Sequence, residues 1–553
     1  MHFMKRIFTY ILLTSLAVAC QVDMPQKPVS RFKFTPENGC KAPCSVTFTS
    51  EAENAANIQW DFGDGTPLQS GDSIPHDFET AGNYQVKLIV KGIDGGSNGS
   101  TRTVQIGAPS PEAFSISGGY NFPTDIIADS KGNIYVSGTA KGVVRFGNKK
   151  TLNSVAGSDD FFVAKYNSAG QCVWLYTDGS TGDDHANAIA LDSAGHVYVT
   201  GFISGPLTRQ SVTAKGGLDG FVAKIKPDGT TDWFKTFGGP QNDQGRALAF
   251  FEAAERPKIY LTGTVEGDNI NTNIAFPGTM PQKADGRDGF LTILSALDGN
   301  FGSAHMMQGA DIQAPETITV DVYGNAYIGG AFLQSIKFSN ALSLKSVDSV
   351  DAFIAKWGLI SGSFLWAKRI GSREVDFAYD IEIDKTYQNV YLTGMHSGDI
   401  EDMNLLSAGD ENVYLGKWST SDGRFLNARN GFNSGGKDYH GGIAKTANGN
   451  IVISGSFTGA TGRFPMGDNL LVNSAGAADI ILTEVDPVLL NRIDGKKPVR
   501  DGGPTEDRVN KICITNTGYV YVAGWFYDNS TFNEITLNGK HQERNTFIAR
   551  YKL

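Results

Sequence analysis

The chain has 553 residues, with 48 Lys and Arg against 58 Asp and Glu and a net charge of −10. That balance excludes a protein built to hold nucleic acid or anionic lipid surfaces through a basic face. With 66 glycines, 40 % apolar residues and no long helical periodicity, the chain reads as all-β and large enough for more than one core.

The N-terminus carries Lys5-Arg6, an apolar run from Ile7 to Val18, and then Ala19-Cys20. A run of about 13 apolar residues is too short to span a bilayer. The segment resembles a bacterial lipoprotein signal peptide, with Leu16-Ala-Val-Ala-Cys20 as the lipobox; Ala17 departs from the larger aliphatic usual there. The resemblance implies a signal peptide over 1–19, lipidation of Cys20 as the only link to the membrane, and a place at the outer membrane, surface-exposed or periplasmic.

Residues 20–28 read as a lipid-anchored polar tether and 107–111 (Gly-Ala-Pro-Ser-Pro) as a linker. Between them, residues 29–106 contain Trp60-Asp-Phe-Gly63-Asp-Gly65, and a strand in which Tyr84, Val86, Leu88 and Val90 alternate with polar residues. This segment resembles a PKD domain, an immunoglobulin-like β-sandwich that serves as a spacer in extracellular proteins. The family reading makes Trp60 core, 63–65 a tight turn and Tyr84 a packing residue. Cys40 and Cys44 are a candidate disulfide in an oxidising compartment, with Cys172 and Cys513 left over. Asp61 and Asp64 are candidate calcium ligands, although Asp in a Gly-rich turn ordinarily only shapes the turn.

From Tyr120 onward one pattern recurs seven times: a short apolar run, a turn, Tyr-Val-x-Gly, then Asp-x-Phe-Val-Ala-Lys. Its glycines fall at Gly138, Gly201, Gly263, Gly330, Gly394, Gly455 and Gly524, spaced 61 to 69 residues apart. Each copy contains four short β segments separated by turns such as Asp129-Ser-Lys-Gly132-Asn133. The period and the meander predict a seven-bladed β-propeller over 112–553. The last copy lacks the Trp-x4-Gly strand that follows elsewhere, and Phe114 to Gly119 supplies it. A strand at about 112–118 is therefore expected to pair with one at about 546–551 and remove two exposed edges. Ile126, Ile189, Leu248, Ile318, Ile381, Ile443 and Ile512 align as core, as do Phe162, Phe221, Phe290, Phe353, Tyr414, Ile481 and Phe547. The repeats resemble those of seven-bladed propellers in bacterial surface proteins (SBBP-like). Lipobox, PKD domain and repeats together resemble a Bacteroidota surface lipoprotein, a group with no single activity to transfer.

The most regular polar feature precedes each first strand: Asn121, Asp184, Asp243, Gln313, Asp376, Asp438 and Asp507. Such a rim could hold a cation, or it could cap backbone N–H groups at each handover between copies. Sevenfold repetition favours the cap, because catalysis needs asymmetry. Trp525, Phe526 and Tyr527 are candidate ligand-contact aromatics. There is no HExxH or Walker motif and no Gly-x-Ser-x-Gly nucleophile elbow leading from a strand into a helix, so no catalytic residue is assigned and no cofactor is expected beyond calcium. The leading expectation is a non-enzymatic envelope protein recognising a glycan or an envelope protein. The alternatives are a polysaccharide lyase or hydrolase, identified by a pocket whose side chains break the sevenfold pattern, and a structural envelope component.

Overall fold

The computed structural model describes residues 26–553 except 37–39, 42–43, 79–81, 108–111, 148–149, 211, 213, 254, 268–272, 275, 278–281, 285, 385, 408–409, 433, 435, 460–461, 465–469, 473, 475 and 541–542. The lipobox and Cys20 lie outside the described residues. Two compact units divide the chain, Met1–Ser110 and Pro111–Leu553. Both are built from strands; the described residues add only short 3-10 turns at Val155–Gly157 and Glu401–Met403.

In the first unit a three-stranded sheet (Phe32–Thr35, Cys44–Ser50, Ser73–Phe78) faces a five-stranded one ordered Cys40–Lys41, Ser97–Gly107, Gly82–Gly92, Ala55–Asp61, Gln69–Ser70. The alternation read in the sequence places Val86, Leu88 and Val90 inside, against Phe48, Trp60, Phe62 and Phe78. Trp60 is fully buried and donates its indole N–H to the Gly71 carbonyl at 2.8 Å, so its one polar atom is satisfied. Tyr84 packs on Phe78 with ring centres 4.5 Å apart. Gly63 and Gly65 both have positive φ, which only glycine adopts without strain. Cys44 takes part in a disulfide; the Cys40 side chain falls outside the described residues. Cys172 and Cys513 are free thiols.

The second unit holds seven four-stranded antiparallel sheets in chain order. Their first strands are Tyr120–Ala128, His185–Leu191, Gln244–Phe251, Gln313–Val320, Asp376–Ile383, Asp438–Lys445 and Asp507–Ile514. Each first strand packs against the first strand of the next sheet, and that of sheet seven packs against that of sheet one. Sheet seven takes its fourth strand from the front of the unit: Ala113–Ile116 pairs with Asn545–Lys552 in the register Ile116 to Thr546 and Ala113 to Ala549. Arg550 forms an ion pair with Glu112 beside that junction. All seven aligned isoleucine or leucine positions are buried, as are all seven aligned aromatic or isoleucine positions of the third strands.

The repeated tryptophans seal one sheet to the next, and a repeated Lys–Tyr pair joins neighbouring strands within a sheet. Trp174, Trp233 and Trp366 lie against the turn glycines of the following sheet, Gly229, Gly299 and Gly423, where a Cβ would come within 2.8 Å of the indole in each case. The Lys of Val-Ala-Lys lies over the ring of the Tyr in Tyr-Val-x-Gly in four copies: Lys165 on Tyr135, Lys224 on Tyr198, Lys356 on Tyr327 and Lys417 on Tyr391, at 5.0 to 5.6 Å. The first turn is held as its sequence implies, Asp129 Oδ1 accepting the N–H groups of Lys131 and Asn133, both at 2.9 Å.

Every first strand also carries one extra residue. The register between first and second strand slips at Pro123/Asp125, Ala186/Ala188, Gly245/Ala247, Pro315/Thr317, Ala378/Asp380, His440/Gly442 and Val509/Lys511. These are seven β-bulges at one aligned position. Opposite the residue just before each bulge stands the glycine of Tyr-Val-x-Gly, for example Gly394 opposite Ala378 and Gly524 opposite Val509. A Cβ on that glycine would collide with the carbonyl oxygen of the residue two before the bulged one, as at Phe377 for Gly394 and Arg508 for Gly524. The glycines are thus required by the bulges.

Gly394→Ala drives a methyl group into the Phe377 carbonyl, which cannot be turned aside like a side-chain end. It is expected to lower stability by about 3 kcal/mol, read as a shift of the denaturant midpoint followed by tryptophan fluorescence. An unchanged midpoint contradicts this account of the repeat.

Candidate functional site

The seven bulged residues are Thr124, Asn187, Arg246, Glu316, Tyr379, Gly441 and Asn510. Apart from Gly441, all of them line a single cavity of about 330 Å³, to which all seven first strands contribute. A bulge turns its extra residue off the ladder, and sheets packed in cyclic order aim seven such residues at one volume. Unlike the glycines opposite the residues before them, these positions are nearly all different from one another. In sheet six the bulged residue is glycine, and the preceding residue, His440, lines the cavity instead, where most other sheets carry Pro, Ala or Gly.

Charge in the cavity is arranged in pairs. Arg246 Nη1 lies 3.5 Å from Glu316 Oε2. Lys511 Nζ lies 2.6 Å from Asp380 Oδ1, while Asp380 Oδ2 accepts the Ile443 N–H of the next sheet at 2.9 Å. Asp125 does the same in sheet one, its Oδ2 accepting the Ile189 N–H at 2.9 Å. Burial pushes the Asp125 carboxyl up to about 6, offset by the charge of Lys511. Burial likewise raises Glu316, with Arg246 and Arg287 opposing. Lys511 is pulled down by burial but held above its ordinary value by Asp380 and Asp125. His440 is kept neutral, burial lowering it to about 3. Its ring stacks on Tyr379, centres 5.2 Å apart and 23° between planes. Among the described residues, Arg246 Nε, His440 Nε2 and Asn510 Oδ1 are buried without a hydrogen-bond partner.

A second cavity, of about 250 Å³, shares Tyr379, His440 and Asn510 with the first and adds Met395, Tyr439, Arg508 and Trp525. Arg508 lies over the Tyr439 ring at 3.0 Å and forms an ion pair with Glu506. Of the aromatics singled out in the sequence, Trp525 lines this cavity. Tyr527 is half-buried, its hydroxyl accepting from Arg544 Nε at 3.2 Å. Phe526 must be withdrawn from that set: it is completely buried, packed against Phe532 and Phe547, because side chains alternate along Tyr519–Phe526.

The rim residues stand three positions before the bulges and are buried completely. Asp184, Asp243, Asp376, Asp438 and Asp507 each accept the backbone N–H of the residue four places earlier, at 2.5 to 3.0 Å. Asn121 accepts from Thr546 N–H at 2.9 Å, and Gln313 donates to the Ser335 carbonyl at 3.0 Å. In the first unit, Asp61 accepts from Gly63 N–H at 3.0 Å. Asp64 accepts from the Thr66 N–H and hydroxyl and meets His76 Nε2 at 2.6 Å. These oxygens hold their turns.

Burial raises Asp243, Asp376, Asp438 and Asp507 to about 7, above the unfolded value of about 3.9. The folded chain therefore binds more protons than the unfolded chain between these values. The stability these groups contribute is complete below about pH 4 and is lost as pH rises through 7. The melting temperature is expected to fall from pH 5 to pH 8, and to fall less in the Asp376→Asn/Asp438→Asn variant; equal slopes reject the linkage. In the cavity, Lys511→Met leaves Asp380 and Asp125 without their cation and is expected to cost about 3 kcal/mol. Most of that should return when Asp380→Asn is added, as a double-mutant cycle on denaturant midpoints measures.

Residues 26–107 match the family model described as PKD domain. The regulatory protein FlaEY of Caulobacter vibrioides is 24 % identical over 268 residues, which are 45 % of this chain and 26 % of that protein. This chain thus spans about a quarter of that relative's length. Among solved structures, the PKD1 domain of Vibrio anguillarum Epp is 29 % identical, over 15 % of this chain and 99 % of that one, with a TM-score of 0.14. A Dyadobacter fermentans protein of unknown function is 9 % identical, over 79 % of this chain and 98 % of that one, with a TM-score of 0.36. By its family match, its two-sheet core and its Trp60-Asp-Phe-Gly-Asp-Gly turn, the segment 26–107 is a PKD domain.

Proposed function

We propose that residues 112–553 form a seven-bladed β-propeller, lipid-anchored through Cys20 and spaced from the outer membrane by the PKD domain, whose hub binds a glycan. Support for the propeller comes from seven four-stranded sheets whose first strands meet in cyclic order. The observation that carries the binding role is the cavity at the meeting point of those strands. It is lined by side chains that differ from copy to copy, while the framework around it repeats. Unequal polar groups converging on one concavity are what orientation-specific binding needs. Arg246, Asn187, Asn510 and His440 offer the mixed donors and acceptors that sugar hydroxyls use.

One observation favours an enzymatic second reading. Glu316, whose carboxyl burial raises above its ordinary value, and the neutral His440 face the same cavity as Tyr379. These are groups that could exchange protons with a bound saccharide.

Titration of the full chain against a panel of oligosaccharides, with calcium and with chelator, tests both readings. Saturable binding to one glycan class is expected, weakened about tenfold, or ~1.4 kcal/mol, by Tyr379→Ala without change in melting temperature. Binding that ignores Tyr379→Ala and Asn510→Ala places the site elsewhere and rejects the hub. Product release from the bound glycan, lost in Glu316→Gln, selects the enzyme.

A further inference from the structure

We infer that the saccharide this hub selects is uncharged, and that the site discriminates against uronic-acid and sulfated chains through cations already matched to carboxylates of the protein. The inference rests on the glycan reading above and narrows it.

The cations that line the two cavities are Arg246, Lys511 and Arg508. Each has a protein anion: Glu316 at 3.5 Å, Asp380 at 2.6 Å, and Glu506, whose Oε1 accepts from Arg508 Nε at 2.6 Å. After these pairs are matched, the cavity wall still holds Asp125. Among the described residues that line the two cavities, a carboxylate or sulfate entering the hub finds no unmatched cation. It must break an ion pair and leave a protein carboxylate behind, or sit unpaired beside Asp125. Both are costly in a site partly withdrawn from water.

The unsatisfied atoms point the same way. Arg246 Nε is a donor, Asn510 Oδ1 an acceptor, and neutral His440 Nε2 serves as either according to tautomer. A hydroxyl donates and accepts at once and can answer all three kinds of group, whereas a carboxylate or sulfate group only accepts. Charge matched within the protein, with both donors and acceptors left open, is a wall suited to a neutral polyol ring.

The discriminating probes are pairs of the same linkage that differ only in the oxidation of C6: α-1,4-linked galactose oligosaccharides against α-1,4-oligogalacturonate, and β-1,4-mannan oligosaccharides against β-1,4-oligomannuronate. Both are titrated into the full chain by calorimetry at low and high salt. The neutral member of whichever pair binds is expected to bind at least tenfold more tightly, with little salt dependence. Glu316→Gln, which releases Arg246 while keeping the side-chain shape, should raise affinity for the acidic member at least fivefold. Asp125→Asn should narrow the preference without touching Arg246. Tighter binding of the acidic member to the unaltered protein, lost in Arg246→Ala, overturns this inference and leaves the glycan reading standing. No binding to any member of either pair overturns both.

Discussion

The second unit depends on a steric constraint repeated seven times: a glycine must face the residue before each bulge. Two residues of the first strand oppose one of the second there, and a main-chain carbonyl swings over the facing Cα. Only a residue without Cβ can stand beneath it. The glycine therefore lets the ladder resume in register beyond the bulge, and the core isoleucine or leucine two residues after each bulge stays buried. The buried side chain three residues upstream supplies the phase. By binding the incoming loop, Asp184 and its counterparts set where each strand starts and so where its extra residue falls.

Framework and site are thus different parts of one short segment. Positions serving the ladder and the seams between sheets are nearly invariant from copy to copy, because each sheet faces the same packing problem. The bulged residue has no ladder partner and no place in the seam, so the fold makes no common demand on it. The same freedom extends to His440 in sheet six, and to Asp125, Asp380 and Lys511 one step beyond the bulge, where other copies carry Ala, Thr or Gly. Asymmetry accumulates where the scaffold tolerates it, and there the charged pairs and unsatisfied atoms of the hub are found.

Much of the frame is legible from residue order. The Tyr-Val-x-Gly glycines mark the second strands, Asp129-Ser-Lys-Gly132-Asn133 marks a turn, and the unpaired Phe114 segment marks the strand that completes sheet seven. The PKD turn glycines and Trp60 are legible for the same reason, since local backbone conformation and a single large core residue leave local signatures. Phe526 misleads because proximity in sequence to Trp525 says nothing about which face a strand residue takes. The signal for the bulges is present, in a glycine that recurs where a strand prefers a side chain, but it reads equally well as a turn or a close packing contact.

By itself the sequence determined an all-β chain with a PKD domain, a sevenfold meander, a fourth strand borrowed from the front, and aspartates that serve the backbone. Those features depend on short-range pattern, repeated until accident is excluded. Tertiary structure alone decided which unequal residues meet. Asp380 and Lys511 are 131 residues apart, and Arg246 and Glu316 belong to different sheets. Their pairing exists only because successive sheets bring their first strands around one cavity, and no local propensity encodes a distance set by the packing of seven sheets.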